Sequence, residues 1–412
     1  MLDLLITNIG SLVTPQGTGP KRGSQQGEVF SLENAAVGID GCKIAYVGQA
    51  AKAPSARQIL DAGGRLVTPG LVDSHTHMVF GGWRHHELEL KLKGVSYLDI
   101  LKSGGGILSS VRSTKECTEE ELLERTLGFA REIVSLGVTT AEAKSGYGLD
   151  TPQELKQLRV IRDMQDKTPL DIVPTFMGAH ALPVEFKEKR EEFIRLICEE
   201  MLPAVKEERL AEFCDVFCEK GVFTPEETRI ILSAAKAQGF MLKAHTDEIN
   251  CLGGAIVAAE LGATSCEHLI ASDMASIKAM SAAGVVGVLL PATSFYLDKP
   301  YAPAKQMLEE GMAIAVASDF NPGSSPSLNM QFALSLACLK YRLTPEQTIT
   351  AATLNAAAAI NRADIIGSIE VGKDADIVIW EASALSYLFY RFGSNLVSRV
   401  IKGGQVVSKT NA

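Results

Sequence analysis

Short β-rich segments alternate with amphipathic helical segments from Leu66 to about Ile366, and this alternation constrains the possible folds most strongly. Repeated strand-helix units build parallel sheets, because each helix returns the chain to the edge where the next strand begins. Eight strand-like segments end near His77, Thr140, Phe176, Cys218, His245, His268, Leu290 and Ser318. Eight such units predict an α/β fold, the (β/α)8 TIM barrel, which usually takes about 250 residues.

Four helices in this region have recognisable start signals. Each signal is a threonine followed three residues later by Glu or Gln, so that the hydroxyl and the longer side chain cap the first turn. The four pairs are Thr118 with Glu121, Thr151 with Glu154, Thr224 with Glu227, and Thr344 with Gln347. In the last three pairs a proline follows the threonine, as expected at the first helical position.

The two ends of the chain have a different character, with short strands and turns. Residues 2–7, 36–40, 43–47, 377–380 and 397–407 have the pattern of short strands. Neither end is long enough to bury a sheet alone, but the two together are. We therefore predict a small discontinuous β-sandwich domain from residues 1–65 and 367–412, with the barrel of residues 66–366 inserted between its halves.

The charge balance is acidic, with 40 Lys and Arg against 49 Asp and Glu and a formal net charge of −9. No cluster of basic residues is typical of a surface that binds nucleic acid or an anionic membrane. We therefore expect a small-molecule partner, no nucleic acid and no membrane. An anionic substrate would need local positive charge, so arginines near the site are candidates for binding it.

Cysteine usage and the N-terminal residues indicate the compartment. Eight cysteines lie between Cys42 and Cys338 without a C-x-x-C pair, which argues against a disulfide framework and against a zinc ribbon. The first residues lack the basic segment and cleavage site of a leader, and the apolar stretches are far shorter than the ~20 residues of a membrane span. We expect a cytoplasmic protein with free thiols.

All seven histidines lie at predicted strand ends or in the loops that follow them. His75 and His77 project in the same direction from one strand, because side chains alternate with period two. The other five are His85, His86, His180, His245 and His268. In a TIM barrel the chemistry lies at the C-terminal ends of the strands, where these side chains would meet.

Asp319 follows the last predicted barrel strand and adds a carboxylate at the same end. An aspartate there could also cap a helix, but the histidines favour a role as a metal ligand. Imidazole nitrogen and carboxylate oxygen suit both zinc and iron, so ligand type does not choose between them. We predict one divalent or trivalent metal ion per subunit, held by His75, His77, His245 and Asp319.

Two motifs carry a resemblance to a known superfamily. Residues 67–77 (VTPGLVDSHTH) and 367–376 (GSIEVGKDAD) are similar to the first barrel strand and to the return into the sandwich of metal-dependent amidohydrolases. Within that superfamily the chain resembles the imidazolonepropionase family over essentially its full length. The segments that carry this resemblance are residues 75–81 with Arg84, 104–107, 144–149, 178–181, 245–248 and 318–323.

The resemblance implies hydrolysis of the cyclic amide C–N bond of 4-imidazolone-5-propanoate to N-formimidoyl-L-glutamate by a metal-activated water. It implies catalytic roles for Asp319, His268 and Glu248, and a homodimeric assembly. It also implies substrate binding by a larger set of residues, which are Arg84, Tyr97, Tyr147, His180, Glu248, Asn321, Gly323 and Ser324. An arginine fork that holds the propanoate carboxylate is physically reasonable.

Two other functions share this fold. Related aminohydrolases that deaminate heterocyclic bases also use a histidine followed three residues later by glutamate, as in His245 and Glu248. They fit less well, because a neutral base has no anionic tail for Arg84 to bind. A noncatalytic assembly protein that has kept the barrel is the third interpretation, and retention of all four predicted ligands argues against it.

Overall fold

The computed structural model describes residues 1–95 and 105–409. Its strands form two sheets of eight strands each, one all-parallel and one mixed. The parallel sheet curls into a nearly closed barrel with helices around it, and the mixed sheet combines strands from both ends of the chain. The predicted fold class is confirmed.

The barrel contains its strands in simple sequential order, as expected for repeated strand-helix units. They are β6 (Leu71–Asp73), β7 (Val138–Lys144), β8 (Asp171–Ala179), β9 (Phe213–Cys218), β10 (Met241–Thr246), β11 (Ser265–His268), β12 (Val286–Leu289) and β13 (Ala313–Val316). All seven residues of β7 are buried. Burial on both faces is typical of strands that line a packed barrel and are covered by helices outside.

The first barrel strand is shorter than predicted. We expected it to reach His77, but regular pairing ends at Asp73. The chain beyond it stays extended, and the barrel closes there through an isolated parallel bridge between Thr76 and Phe320. The backbone N–H of His77 donates to the carbonyl of Phe320 at 2.8 Å, and that of Asp319 donates to the carbonyl of His75 at 3.1 Å.

Fifteen α-helices are present in the described residues, and all but the last lie between strands of the barrel or between its last strand and the return to the mixed sheet. Their bounds are Leu88–Leu92, Ile107–Glu116, Glu119–Ser135, Thr151–Met164, Arg190–Leu196, Leu202–Glu207, Pro225–Ala237, Gly254–Leu261, Met274–Ala283, Pro291–Tyr296, Ala304–Glu309, Met330–Leu336, Pro345–Ala352, Leu354–Ala359 and Leu385–Tyr390. Short 3₁₀ segments include His85–Glu87, and Ile197–Met201 and Ala337–Tyr341 are π-helical turns. Within the described ranges, no helix is both long and apolar enough to span a membrane.

Three of the four predicted helix starts are confirmed, and one is wrong by a residue. Reciprocal capping boxes form at Thr118, Thr224 and Thr344 with the predicted partners. At the fourth, Asp150 is the N-cap and its carboxylate accepts from the backbone N–H of Gln153 at 3.0 Å. Asp150 precedes Thr151 and is itself a strong capping residue, so it takes the position.

The mixed sheet joins strands from both ends of the chain. Its members are β1 (Leu2–Thr14), β2 (Phe30–Asp40), β3 (Lys43–Gln49), β4 (Ala56–Asp61), β5 (Leu66–Pro69), β14 (Ile377–Trp380), β15 (Val397–Lys402) and β16 (Gln405–Lys409). Strand β5 pairs with β1 on one side and with β14 on the other, and so connects the two ends. Residues 66–69 therefore belong to this sheet, although the predicted boundary assigned them to the barrel.

Candidate active site

The predicted metal ligands meet at the C-terminal end of the barrel. The Nε2 atoms of His75 and His77 lie 3.4 and 3.8 Å from Oδ1 of Asp319. His245 lies in β10, and its Nε2 is 3.3 Å from Nε2 of His77. One nitrogen from each of the three histidines lies within 4.8 Å of the others. These four side chains surround one small space, although they come from segments more than 240 residues apart.

The backbone places these side chains through the barrel closure. His75 and His77 flank the bridging residue Thr76, so both side chains project to the same side of the extended chain. Asp319 has a left-handed backbone conformation, with φ of 53°, directly after the last strand. Strained backbone of this kind is common where a side chain must be aimed at a functional site.

The electrostatic state of the histidines suits metal binding. Burial holds the pKa of His75 and of His77 well below the ordinary value, and neighbouring positive charges add to this effect. Burial also lowers the pKa of His245 to about 3, although Asp215 opposes the shift. All three rings are therefore neutral at pH 7, and neutral imidazole is the form that binds metal.

The ring nitrogens of His75 show whether these residues fit a metal ion. Among the described residues, neither ring nitrogen of His75 has a hydrogen-bond partner, although the side chain is fully buried. Buried polar atoms without partners are rare and need a physical explanation. Three neutral nitrogens and one carboxylate form a set of ligands that zinc or iron accepts, and a metal ion would satisfy the open nitrogen. The residues fit the predicted ion.

Asp215, at the centre of β9, orients His245, and sequence reasoning missed it. Its Oδ1 accepts from Nδ1 of His245 at 3.0 Å, which leaves Nε2 of His245 unprotonated and facing the site. The other oxygen of Asp215 accepts from Nζ of Lys144 at 2.7 Å. A carboxylate behind a ligand histidine fixes its tautomer and orientation.

Asp215 belongs to a buried charged cluster inside the barrel. Nζ of Lys144 also bonds Glu142 at 2.8 Å, and Nζ of Lys243 lies 3.1 Å from Glu142 and 3.5 Å from Glu267. Ligand atoms of Asp215, His245 and Glu267 lie within 4.8 Å of one another, but the two lysines already supply positive charge there. The signal was present in the sequence, because Glu142, Lys144 and Lys243 interrupt otherwise apolar or small-residue strands.

Glu248 and His268 lie beside the predicted metal ligands. Nε2 of His268 is 3.8 Å from Oε2 of Glu248, and the His268 ring centroid is 5.2 Å from that of His245. Burial, reinforced by the charge of Glu219, raises the pKa of Glu248 to about 7. Burial also raises the pKa of Asp319 to about 6. Carboxyl groups with pKa values near neutrality can both give and take protons at pH 7.

Several predicted substrate-binding residues lie around the same space. The His180 ring stacks on His77 with centroids 4.9 Å apart, and its Nδ1 lies 3.1 Å from the carbonyl oxygen of Gly146. The ring of Tyr147 is buried, with its centroid 5.5 Å from that of His180. The structure therefore brings Tyr147 and His180 to the histidines that are predicted to bind metal.

Arg84 lies near the loop that follows Asp319. Its guanidinium forms a two-point ion pair with Glu87, with bonds of 3.0 and 2.9 Å. A Cβ atom on Gly323 would lie 2.0 Å from Nη1 of Arg84, so a larger residue there would have to displace the guanidinium from its present position. The side chain of Asn321 stabilises the turn that contains Gly323, because its Oδ1 accepts from the backbone N–H groups of Gly323 and Ser324.

The remaining predicted residues are not brought to the site or cannot be placed. His85 and His86 are exposed, in the short 3₁₀ segment after Arg84, and their ring centroids lie 6.1 Å apart. Tyr97 lies outside the described residues, as does Gly104 of the segment 104–107.

Comparison with known proteins identifies the family. Residues 66–407 match the sequence profile of the family described as "Amidohydrolase family". The chain is 50% identical over 414 residues to an imidazolonepropionase of Alkaliphilus metalliredigens, covering 99% of this chain and 98% of the relative. It is 51% identical over 413 residues to an imidazolonepropionase of Alkaliphilus oremlandii, covering 98% of both chains.

Solved structures agree on the fold. An adenosine deaminase from Xanthomonas campestris with bound zinc superposes with a TM-score of 0.70 at 20% identity, covering 98% of this chain and 92% of that one. At that identity the likeness shows the fold alone. Full-length identity near 50% is far more specific, and the chain belongs to the imidazolonepropionase family of the amidohydrolase superfamily.

Proposed function

We propose that this chain hydrolyses 4-imidazolone-5-propanoate to N-formimidoyl-L-glutamate, a step of histidine degradation. The observation that carries the proposal is the convergence of His75, His77, His245 and Asp319. This convergence occurs in a chain that shares half its residues with imidazolonepropionases over their full length. Water adds to the ring carbonyl carbon, the bond from that carbon to the ring nitrogen breaks, and the nitrogen receives a proton.

One zinc or iron ion per subunit, held by His75, His77, His245 and Asp319, completes the site. When bound, such an ion makes a nucleophilic water available near neutral pH and polarises the carbonyl. Asp215 serves this site from behind His245, where it keeps the ring in the tautomer that binds metal.

Proton transfer belongs to the buried carboxyl groups of the site. Asp319 takes a proton from the attacking water, and the Thr293 hydroxyl holds its other oxygen through a hydrogen bond of 2.5 Å. His268 lies where it can stabilise the developing oxyanion, and Glu248 exchanges a proton with the ring nitrogen. Glu248 suits this task, because burial raises its pKa to about 7.

Arg84 is the residue proposed to bind the carboxylate of the substrate's propanoate tail. Arg84 offers Nη1 towards the Gly323 turn while its other nitrogens hold Glu87. In the proposed complex Tyr147, His180, Glu248 and Tyr97 contact the ring and tail, and Asn321, Gly323 and Ser324 surround the far end. A guanidinium that is already fixed by an ion pair loses little side-chain entropy when it binds a carboxylate.

The proposed assembly is a cytoplasmic homodimer that binds neither nucleic acid nor membrane. All eight cysteines are free thiols, which agrees with a reducing compartment. The acidic charge balance, with a formal net charge of −9, is unfavourable for binding polyanions.

Deamination of a heterocyclic base is the alternative reaction for this fold. Its support in solved structures is limited to likeness at 20% identity, as for the adenosine deaminase. The full-length relatives near 50% identity are imidazolonepropionases, so this alternative is not favoured.

A direct assay tests the proposed function. We expect purified protein to consume the ultraviolet chromophore of imidazolone propanoate, with about one zinc or iron per chain by elemental analysis of the same sample. Guanine and cytosine should release no ammonia. Ammonia release from either base without turnover of the imidazolone would overturn the proposal.

A further inference from the structure

Glu219 is a buried glutamate whose carboxylate accepts hydrogen bonds from three main-chain N–H groups and one side-chain amide. It follows β9 directly and is 3% exposed. Oε2 accepts from the backbone N–H groups of Ile249 and Asn250, at 2.9 and 3.1 Å. Oε1 accepts from the backbone N–H of Lys220 at 2.7 Å and from Nδ2 of Asn250 at 2.8 Å. Four donors therefore converge on one carboxylate, and three of them belong to Ile249 and Asn250, the two residues that follow Glu248.

The loop that carries Glu248 is also held at Asp247, whose carbonyl accepts from the backbone N–H of Ala271 at 2.7 Å. Ile249 is 68% exposed, so its apolar side chain does not pack the loop down. Asp247 has a left-handed φ of 54°, a conformation that needs support from its surroundings. On the opposite side, Asp247 accepts from the Ser272 hydroxyl at 2.7 Å. Hydrogen bonds from Ser272 and to Glu219 therefore hold the residues immediately before and after Glu248.

We infer that Glu219 is a positioning residue that fixes Glu248 at the reacting ring through the backbone of Ile249 and Asn250. The inference rests on the role proposed above for Glu248. Glu219 does more than contribute generally to stability, because three of its four hydrogen bonds join it to the two residues that follow Glu248. The position of a group that transfers protons matters strongly, since a displacement of about 1 Å can cost about 100-fold in rate.

A second glutamate does the same for another loop and provides a matched control. Glu154 is buried, and its carboxylate accepts from the backbone N–H groups of Gly146, Gly148 and Leu149 at 2.8 to 3.0 Å. These residues surround Tyr147, far along the chain from Glu248. Glu154 and Glu219 therefore share their chemistry and burial, but they hold different loops of the same site.

A double-mutant cycle tests the inference. Glutamine in place of Glu219 keeps the shape but presents an N–H₂ group to N–H donors, so at least part of the loop loses its anchor. We expect E219Q to lower kcat by about 10- to 100-fold. In an E248Q background the same change should lower kcat by less than about 2-fold, because the group that it positions is already gone. E154Q should lower kcat by a similar factor in both backgrounds.

Hydrogen exchange gives a readout that needs no substrate. In E219Q we expect faster amide exchange at residues 247–250 than in the wild type, with unchanged metal content. N250A removes only the side-chain bond to Glu219 and gives a milder version of the same test if E219Q does not fold. Two outcomes would overturn the inference. In the first, E219Q lowers kcat by the same factor with and without E248Q. In the second, the effect of E154Q on kcat depends on E248Q as strongly as the effect of E219Q does. Absence of imidazolone turnover by the wild type would instead overturn the proposed function.

Discussion

At the scale of single residues, environment converts ordinary side chains into a site. Burial keeps His75, His77 and His245 neutral, and burial raises the pKa of Asp319 and Glu248 towards neutrality. The same residue types on the surface would be partly charged imidazoles and fully ionised carboxylates at neutral pH. The chemistry therefore depends on where these side chains lie as much as on what they are.

A substitution of Asp215 tests this environment at the proposed metal site. We expect Asp215→Asn to weaken metal affinity by about 10- to 100-fold, because the residue orients the ring of His245. The measurement is a metal titration against a competing chelator. Asp163→Asn changes a half-exposed aspartate on a barrel helix and should leave the affinity unchanged. Equal metal affinity in Asp215→Asn and the wild type would contradict the orienting role.

Arg84 provides a test at the substrate end of the site. We expect Arg84→Met to raise KM for imidazolone propanoate by at least about 10-fold, because loss of a charge-assisted bond costs about 1.5–3 kcal/mol. Metal content should not change, since Arg84 contacts Glu87 and the Gly323 turn and none of the proposed ligands. Steady-state kinetics with parallel elemental analysis give both numbers. An unchanged KM would remove the carboxylate-binding role.

At the scale of elements, local capping signals determine where the helices begin, while contacts between loops and distant residues determine the geometry of the site. The capping boxes at Thr118, Thr224 and Thr344 formed as their spacing predicts, because the interaction is complete within four residues. The start at Thr151 was wrong because a competing cap, Asp150, stands one residue earlier. Glu154, expected to complete a capping box there, instead accepts three backbone N–H groups of the loop around Tyr147.

The helix Pro225–Ala237 offers a prediction with a defined pH dependence. Glu227 caps this helix and pairs with Arg190 at 2.8 Å, linking it to the helix Arg190–Leu196. Burial raises the pKa of Glu227, but the bonds from Arg190 and from the Thr224 amide outweigh burial and lower it below 4.5. A lowered pKa means that the ionised form stabilises the fold above pH 4.5 and that this stability is lost as the pH falls further.

We expect Glu227→Gln to reduce the free energy of unfolding by about 1 kcal/mol at pH 7, because glutamine keeps the capping box but loses the ion pair. The difference from the wild type should shrink as the pH falls below 4.5. Urea unfolding at several pH values measures it. Glu121→Gln alters the same capping position of the helix Glu119–Ser135 and should cost less at pH 7. A loss in Glu227→Gln that does not change with pH would rule out the ion pair as its cause.

At the scale of the whole molecule, a charged cluster lies where a barrel usually has apolar layers. Glu142, Lys144, Asp215, Lys243 and Glu267 come from four strands and are fully buried. Buried ion pairs of this kind are costly to form and costly to break singly. Here Asp215 joins the cluster to His245 through a hydrogen bond, so the interior of the barrel and the site are directly connected.

Lys144 tests the balance of this cluster. We expect Lys144→Met to reduce the free energy of unfolding by about 3–5 kcal/mol, because it leaves buried carboxylates without their cation. The double variant Lys144→Met with Glu142→Gln restores the original excess of one negative charge and should recover part of that loss. Urea unfolding at a fixed metal concentration measures both variants. No recovery in the double variant would show that packing and not charge dominates.

Much of the fold could be predicted because its signals are local or periodic. Strand-helix alternation gave the barrel, and the ends of its strands located the histidines to within a few residues. The missed residues, Asp215, Glu219 and Lys144, matter through partners that lie far away in sequence. No spacing rule connects Glu219 with Asn250, or Lys144 with Asp215, because their proximity arises only when the strands pair.

The sequence by itself determined the residue types at the strand ends, and with them the barrel and the set of atoms that can hold a metal ion. Only the tertiary structure decided how far apart those atoms lie, which of them stay neutral, and which carboxylates hold the loops. The physical reason is that propensity, capping and hydrophobic period act over a few residues. Burial and Coulomb interactions instead depend on distances in space, which the closure of the barrel sets.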